Sequence, residues 1–196
     1  MKILAIHGFW RSGVFWKKAT KVLQAFGHHV ITPDLDWERD CVEYIMRMIR
    51  TERPDVIMGM NFGGYTVQKV LEKLDKREVR CCVLIAPVGP HGLGLRTFLK
   101  MCVKGPDHEI DDPELMEEKI INAWHALPFC GGVRKSISVP TLVISGGRDK
   151  FVSLGDALRI AVFHNASHMH WPELNHNELG KNRKVIQYIA RWIAEK

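Results

Sequence analysis

The sequence predicts an α/β protein, a three-layer α/β/α sandwich built on a doubly wound, mainly parallel sheet of about six strands. Short apolar segments alternate with longer amphipathic ones along almost the whole chain. Each intervening stretch is long enough for a right-handed crossover between parallel strands. With 196 residues, 46% of them hydrophobic, and no evident linker, the chain is expected to form one domain over residues 1–196.

The strands and helices can be placed in order from the apolar periodicity. The six expected strands are Lys2–His7, His28–Thr32, Asp55–Met60, Val79–Ala86, Thr141–Ser145 and Asn165–Trp171. The expected helices are about Gly13–Phe26, Glu38–Thr51, Phe62–Leu74, Leu154–Phe163 and Asn177–Ala194.

One segment, residues 88–138, interrupts this alternation. It begins with a glycine-rich stretch, and a helix is expected to open at Asp111-Asp112-Pro113 and to run to about Trp124. Proline early in a helix and acidic residues at its N-terminus both favour helix initiation there. Because an insertion of this length after a middle strand usually covers a site, we predict a small helical cap at about residues 88–138.

The composition argues against several classes of protein. The net charge of +6 reflects clusters of basic residues on predicted helix faces, some of them interleaved with acids, and no nucleic-acid-binding module is recognisable, so no nucleic-acid partner is expected. The five cysteines lack zinc-site or Cys-x-x-Cys spacing and are expected to be reduced core thiols. The N-terminal apolar run is too short for a signal peptide, and no segment approaches a membrane span, which predicts a cytoplasmic protein.

The most informative motif is Asp-Val-Ile-Met-Gly-Met-Asn-Phe-Gly-Gly at residues 55–64, a strand followed by a sharp turn and a helix. This is the pattern of a nucleophile elbow, with glycines two residues before and two after the central position. The central residue is Asn61. Asparagine tolerates the positive φ that such a turn requires, but its amide nitrogen is a poor nucleophile.

Two further candidates follow the last two strands. Asp149 lies in the turn after the fifth strand, where it is either a catalytic acid or a helix N-cap, and His176 follows the sixth strand. His164, His168 and His170 compete with His176 as the functional histidine. His168 and His170 share a strand face and could suggest a metal pair, but no cysteine or carboxylate has ligand spacing nearby, so no metal is expected. No other hydroxyl or thiol is a convincing replacement nucleophile, because none of the candidates occupies an elbow; they are Ser12, Ser145 and Cys41.

Together with His7-Gly8-Phe9-Trp10 after the first strand, these motifs resemble the α/β-hydrolase fold superfamily, in particular its small serine-hydrolase and esterase-like members. The resemblance implies that Asn61 stands in the nucleophile position, Asp149 is the triad acid and His176 is the general base. It also implies an oxyanion hole formed by the backbone amides of Phe9 and Phe62. For the His7 side chain we expect a structural role in ordering its loop.

The ligand is expected to be a small apolar acyl or aryl compound, bound without a cofactor. The residues expected to line its pocket are Phe9, Trp10, Phe62, Leu93, Leu95, Trp124 and Phe129, although Trp124 could equally be a core residue.

Three hypotheses about Asn61 stay open. The chain is an inactivated variant of a hydrolase, most simply a serine hydrolase; or it is a non-catalytic binding or partner protein; or His176 acts as a base without a covalent intermediate, as in lyases and cofactor-free oxygenases. A nucleotide-binding module is the rival class, but the glycines after the third strand lack the lysine of a phosphate-binding loop.

Overall fold

The fold is known from a computed structural model, which describes residues 1–9, 11–37, 39–74, 78–89 and 132–196. Six strands form one sheet in the order β2-β1-β3-β4-β5-β6, and every neighbouring pair is parallel. The predicted fold class, a doubly wound parallel sheet, is confirmed. The strands are β1 (Lys2–Ile6), β2 (His29–Ile31), β3 (Val56–Met60), β4 (Cys81–Ile85), β5 (Thr141–Gly146) and β6 (Ser167–Trp171).

Helices cover both faces of this sheet. A 3₁₀ turn, Gly13–Trp16, precedes the first α-helix. The helices of the described residues are α1 (Lys17–Ala25), α2 (Cys41–Glu52), α3 (Phe62–Leu71), α4 (Leu154–Phe163), α5 (His176–Leu179) and α6 (Arg183–Ala194).

The sheet separates two apolar cores. On one face, Ile45 of α2, Val67 of α3 and Ile160 of α4 pack in a single cluster against the strands. On the other face, the cluster includes Leu23 of α1 and Ile189 of α6. The central strands β3 and β4 are buried along their whole length, as expected for parallel strands covered on both sides. Their continuous apolar composition follows from this double burial.

Most predicted ends of helices and strands lie within two residues of the observed ends. The prediction of a single last helix, however, is wrong. Instead of one helix over 177–194, the chain forms α5 and α6, with Gly180 between them. Asn182 then caps α6 by accepting a hydrogen bond from Lys184 N at 2.9 Å. An asparagine cap starts a new helix because it satisfies backbone N–H groups that the first turn leaves unpaired.

Both described ends of the 88–138 segment are held by α3 through Gln68. The buried Gln68 Nε2 donates to the carbonyl oxygen of Val88 at 3.0 Å. Gln68 Oε1 lies 2.9 Å from Nε2 of His164, whose Nδ1 accepts from the backbone N–H of Ile137 at 3.0 Å. Since a backbone N–H can only donate, His164 must carry its proton on Nε2 and is neutral in this network. The predicted cap between these two ends lies outside the described residues.

Candidate active site

The turn after β3 has the strained backbone of a nucleophile elbow. Asn61 follows Met60 directly and adopts φ 53° and ψ −115° before α3 begins at Phe62. A residue with a Cβ rarely adopts a positive φ, and the conformation costs about 1–3 kcal/mol when the surrounding structure enforces it. The elbow predicted from the glycine-bracketed motif is therefore present, with Asn61 at its strained corner.

Glycines let this corner fit against the first strand. A Cβ on Gly63 would overlap the backbone oxygens of Ile6 and His7, and a Cβ on Gly59 would lie 2.5 Å from the oxygen of Gly63. None of these three backbone oxygens can move away cheaply, because all belong to the core of the fold. Gly63 therefore lets α3 start in direct contact with the end of β1, and Gly59 lets the start of α3 pack directly against β3.

The side chain of Asn61 is turned onto its own helix. Its Oδ1 accepts a hydrogen bond from the backbone N–H of Phe62 at 2.8 Å, and Asn61 is only 7% exposed. The Phe62 amide is one of the two donors expected to form an oxyanion hole. In this conformation that donor is occupied by the amide oxygen of Asn61.

Asp149 and His176 form the pair expected from the chain order. His176 Nδ1 lies 2.7 Å from Asp149 Oδ2, and the Asp149 side chain is fully buried. The other carboxylate oxygen, Oδ1, accepts from the backbone N–H groups of Phe151 and Val152 at 2.8 and 2.9 Å. Because a carboxylate accepts, the proton of the pair lies on Nδ1, and Nε2 is the ring nitrogen that does not face Asp149. The contact expected between a triad acid and its base is thus present, and the catalytic roles of the two residues stay predictions.

Glycines also bring the two loops of this pair together. A Cβ on Gly146 would overlap the backbone oxygen of Leu174, and a Cβ on Gly147 would overlap that of Pro172. The backbone N–H of Arg148 donates to the oxygen of Leu174 at 3.0 Å. The turn after β5 and the turn after β6 are therefore packed backbone to backbone, and this contact places Asp149 beside His176.

His176 begins the short helix α5. The preceding residue, Asn175, forms a capping box with Glu178, in which each side chain accepts from the other residue's backbone N–H. The Phe151 ring packs edge-on against the His176 imidazole, with 5.1 Å between centroids. Phe151 was not among the predicted site residues, because an aromatic residue in a turn carries no local signal of what it will contact.

The loop after β1 lies against the elbow. A Cβ on Gly8 would be 3.3 Å from the Cβ of Asn61. The His7 ring is buried, with Nε2 accepting from Leu35 N at 3.0 Å and Nδ1 donating to the Gly8 oxygen at 2.8 Å. Burial lowers the pKa of His7. Both ring nitrogens are used by the backbone, so the expected structural role of His7 is confirmed.

Phe9 and Phe62 also meet at this point, with ring centroids 5.5 Å apart. The role of their backbone amides in an oxyanion hole stays a prediction. The other residues expected to line the pocket are outside the described part of the chain; they are Trp10, Leu93, Leu95, Trp124 and Phe129.

The competing histidines have other partners. His168 Nε2 and His170 Nδ1 each lie 2.9 Å from the Ser145 hydroxyl oxygen. Burial lowers the pKa of His164 to about 4. Among the described residues, no group of three or more histidine, cysteine, aspartate or glutamate side chains could hold a metal ion.

Three cysteines, Cys41, Cys81 and Cys82, are free and buried, as expected. Burial raises the pKa of Cys41 and Cys81 to about 12, and that of Cys82 well above its usual value. These thiols are therefore poor thiolate nucleophiles near neutral pH. Cys102 and Cys130 lie outside the described residues.

Comparison with solved structures shows which known fold has the same sheet and helices. An esterase from Exiguobacterium antarcticum matches with a TM-score of 0.78 and 12% identity, over 99% of this chain and 92% of the other. A thermophilic esterase from Thermogutta terrifontis matches with a TM-score of 0.72 and 18% identity, over 100% and 90% of the two chains. The chain has the α/β-hydrolase fold. A thioesterase domain from the curacin biosynthetic pathway also matches, with a TM-score of 0.64 and 21% identity, over 98% of this chain and 90% of the other.

These identities are low enough that the likeness to α/β-hydrolase structures establishes the fold alone. Comparison of the sequence with known protein families gives no match, and comparison with curated protein sequences gives none either. No helix within the described ranges is long and apolar enough to cross a membrane.

Proposed function

We propose that this protein is an esterase-like α/β hydrolase of a small apolar ester, with Asn61 in the nucleophile position. The observation that carries the proposal is the 2.7 Å hydrogen bond between Asp149 and His176. It leaves the imidazole oriented, with a basic Nε2, next to the edge of the sheet where Asn61 occupies the strained corner. In this proposal residues 1–196 form one cytoplasmic domain, and residues 88–138 cap the site.

The proposal implies that the chain is slow or inert toward esters. The nitrogen lone pair of the Asn61 amide is delocalised into its carbonyl, so it does not attack an acyl carbon. With Asn61→Ser, His176 would take the hydroxyl proton while the oxygen attacks the ester carbonyl. Collapse of the tetrahedral intermediate would expel the alcohol, which receives that proton, and water would then release the acid from the acyl-enzyme by the same route.

One observation favours a second candidate, a non-catalytic ligand-binding or partner protein. Asn61 Oδ1 already accepts the hydrogen bond of the Phe62 N–H, so the donor needed for an oxyanion is filled by the protein itself. A third candidate, a lyase or oxygenase that uses His176 as a base without a covalent intermediate, requires only the Asp149–His176 pair.

Four forms of the protein test the proposal: the unmodified chain, Asn61→Ser, Asn61→Ala as the matched control without a hydroxyl, and Asn61→Ser with His176→Ala. Each is incubated with a short-chain aryl ester and, separately, with a fluorophosphonate probe that is detected by mass spectrometry. We expect Asn61→Ser to hydrolyse the ester at least about 10³-fold faster than the other three and to be the only form labelled at residue 61.

The outcomes separate the three candidates. A folded Asn61→Ser protein that takes up no probe and hydrolyses no ester would reject the esterase proposal and favour the partner or base-only candidates. Labelling of the unmodified chain would mean that another residue is the nucleophile.

A further inference from the structure

A concave, strongly basic surface lies beside the candidate site and plays no part in the proposed ester chemistry. We name it the basic pocket; it has a volume of about 450 Å³. Its charged lining consists of Arg11, Lys17, Lys18 and Lys181 around the ring of Phe15. A second hollow of about 360 Å³ shares Lys18 and Lys181 with it. The rest of that hollow is lined by Glu178, Asn182 and the two residues that flank His176, Asn175 and Asn177.

The floor of the basic pocket is a fixed aromatic ring. A Cβ on Gly180 would lie 2.7 Å from two atoms of Phe15, so the absence of a side chain at position 180 lets the ring pack closely. Lys181 Nζ lies 5.1 Å from the centre of this ring, and Arg11 Cζ lies 5.9 Å from it. Both distances are in the range of cation–π attraction. Two cations are therefore drawn to the same ring.

Arg11 is also tied to the loop that carries His176. Its Nη2 donates to Asn177 Oδ1 at 3.0 Å. This contact joins the loop after β1 to helix α5, across 166 residues of sequence. The basic pocket thus has walls from two distant segments that a side-chain hydrogen bond holds in place.

The lysines of the pocket take no part in ion pairs within the described part of the chain: Lys17, Lys18 and Lys181 occur in none of them. Burial, together with the charges of Arg11 and Lys18, lowers the pKa of Lys181. Repulsion from Arg11 and Lys18 thus adds to the effect of burial on Lys181, and a bound anion would relieve that repulsion.

Two carboxylates in the hollows next to the basic pocket, Glu178 and Asp34, accept hydrogen bonds from backbone N–H groups. Glu178 Oε2 accepts from Asn175 N at 2.8 Å within the capping box. Asp34 lines an adjacent hollow with Lys17, and its Oδ1 accepts from the backbone N–H of Gly13. Both carboxylates therefore have structural roles at their own loops, and neither forms an ion pair with a lysine of the pocket.

We propose that the basic pocket binds a phosphate dianion, as the phosphate group of a small organic ligand. A single carboxylate carries one charge and two oxygens, whereas a phosphate carries nearly two charges and at least three acceptor oxygens that several ammonium groups can share. Asn175 and Asn177, which flank His176 along the chain, line the adjoining hollow together with Glu178. In this proposal the organic part of the ligand extends from the basic pocket into that hollow. Inorganic phosphate offers the same chemistry without that extension.

Isothermal titration of the unmodified chain at low ionic strength tests the proposal, with inorganic phosphate, phenyl phosphate and benzoate as separate ligands. We expect both phosphates to bind, phenyl phosphate more tightly, and benzoate to bind at least about tenfold more weakly than phenyl phosphate. Equal affinity for the two phosphates would identify inorganic phosphate as the ligand and would overturn the organic-ligand part of the proposal. If benzoate binds as tightly as phenyl phosphate, the pocket does not select phosphate.

The variants Lys18→Gln and Lys181→Gln should each weaken phosphate binding about tenfold. The matched control is Lys184→Gln, which removes the same charge from an exposed lysine near Lys181 and should change the affinity less than about twofold. Circular dichroism of each variant verifies folding.

Two results would overturn the proposal: no phosphate binding, or an equal loss of affinity in all three variants. A single-stranded oligonucleotide that binds while phosphate does not would instead indicate a general polyanion surface. None of these measurements needs turnover, so the inference can fail or hold independently of the proposed esterase function.

Discussion

Acidification from pH 7 to pH 5 should destabilise this protein by about 2 kcal/mol through His164 alone. Burial lowers the pKa of His164 from 6.5 to about 4 in the folded state. Between these two values the unfolded chain binds a proton that the folded chain does not, so the free energy of unfolding falls as the pH falls. At about 1.4 kcal/mol per pKa unit, the loss reaches about 2 kcal/mol at pH 5 and about 3 kcal/mol at pH 4.

The hydrogen bonds of His164 explain why the folded state resists this proton. Nδ1 accepts from the backbone N–H of Ile137, and Nε2 donates to Gln68 Oε1. A second proton would have to be placed on Nδ1, directly facing the N–H of Ile137. Two donors would then point at each other in a site that is 3% exposed. Protonation therefore breaks the link between Gln68 and the end of the 88–138 segment.

Urea unfolding at pH 7, 6 and 5 measures the effect in the unmodified chain and in His164→Gln. Burial also lowers the pKa of His7, His28 and His168, so only the difference between the two proteins isolates His164. We expect His164→Gln to be less stable at pH 7 but to lose about 2 kcal/mol less than the unmodified chain on going to pH 5. The control His29→Gln removes an exposed imidazole. If His164→Gln loses stability with falling pH as steeply as the unmodified chain, the reasoning is refuted.

Three other predictions concern the elbow and its partners. Gly63→Ala should lower the free energy of unfolding in urea by at least about 3 kcal/mol, because the new Cβ would overlap backbone oxygens. The control Gly155→Ala, whose new Cβ would have no neighbour nearer than 3.7 Å, should leave that free energy unchanged or raise it. Equal losses in the two variants would contradict the close approach of Gly63 to the backbone of β1. In the same measurement, the free energy of unfolding of Asn61→Gly should be about 1–2 kcal/mol higher than that of Asn61→Ala. Both variants lose the hydrogen bond from the Phe62 N–H to the side chain of residue 61, but only glycine adopts the positive φ without strain. In an active Asn61→Ser protein, adding Asp149→Asn should lower kcat for an aryl ester about 10⁴-fold without unfolding the protein. A decrease in kcat of less than about tenfold would argue against Asp149 as the group that orients His176.

Much of the fold could be predicted because its signals are local. Continuous apolar runs such as Val56–Met60 mark strands buried on both faces, and their alternation with helices predicts a parallel sheet. In such a sheet all the carboxyl ends lie at one edge, so the positions of Asn61, Asp149 and His176 after three different strands predicted their common edge. The glycines around Asn61 predicted its positive φ, which the backbone adopts.

The break at Gly180 was missed, although its signals are in the sequence. Glycine followed two residues later by asparagine is a helix end followed by a new cap, but the apolar periodicity continues through it. Periodicity alone does not distinguish one helix from two that keep the same face toward the core. The glycine itself matters because its lack of a side chain leaves room for the Phe15 ring beside residue 180.

The sequence by itself determined the class of fold, the strained elbow and the chain order of the candidate site. The sequence predicted one long-range pair, Asp149 with His176, but only the tertiary structure decided which other distant side chains meet. Gln68 and His164 are 96 residues apart, and Arg11 and Asn177 are 166 apart. It likewise decided that Asn61 Oδ1 occupies the Phe62 N–H. The physical reason is that local pattern encodes backbone conformation and burial, whereas pairing between distant side chains depends on strand order and on the direction in which each side chain leaves its element.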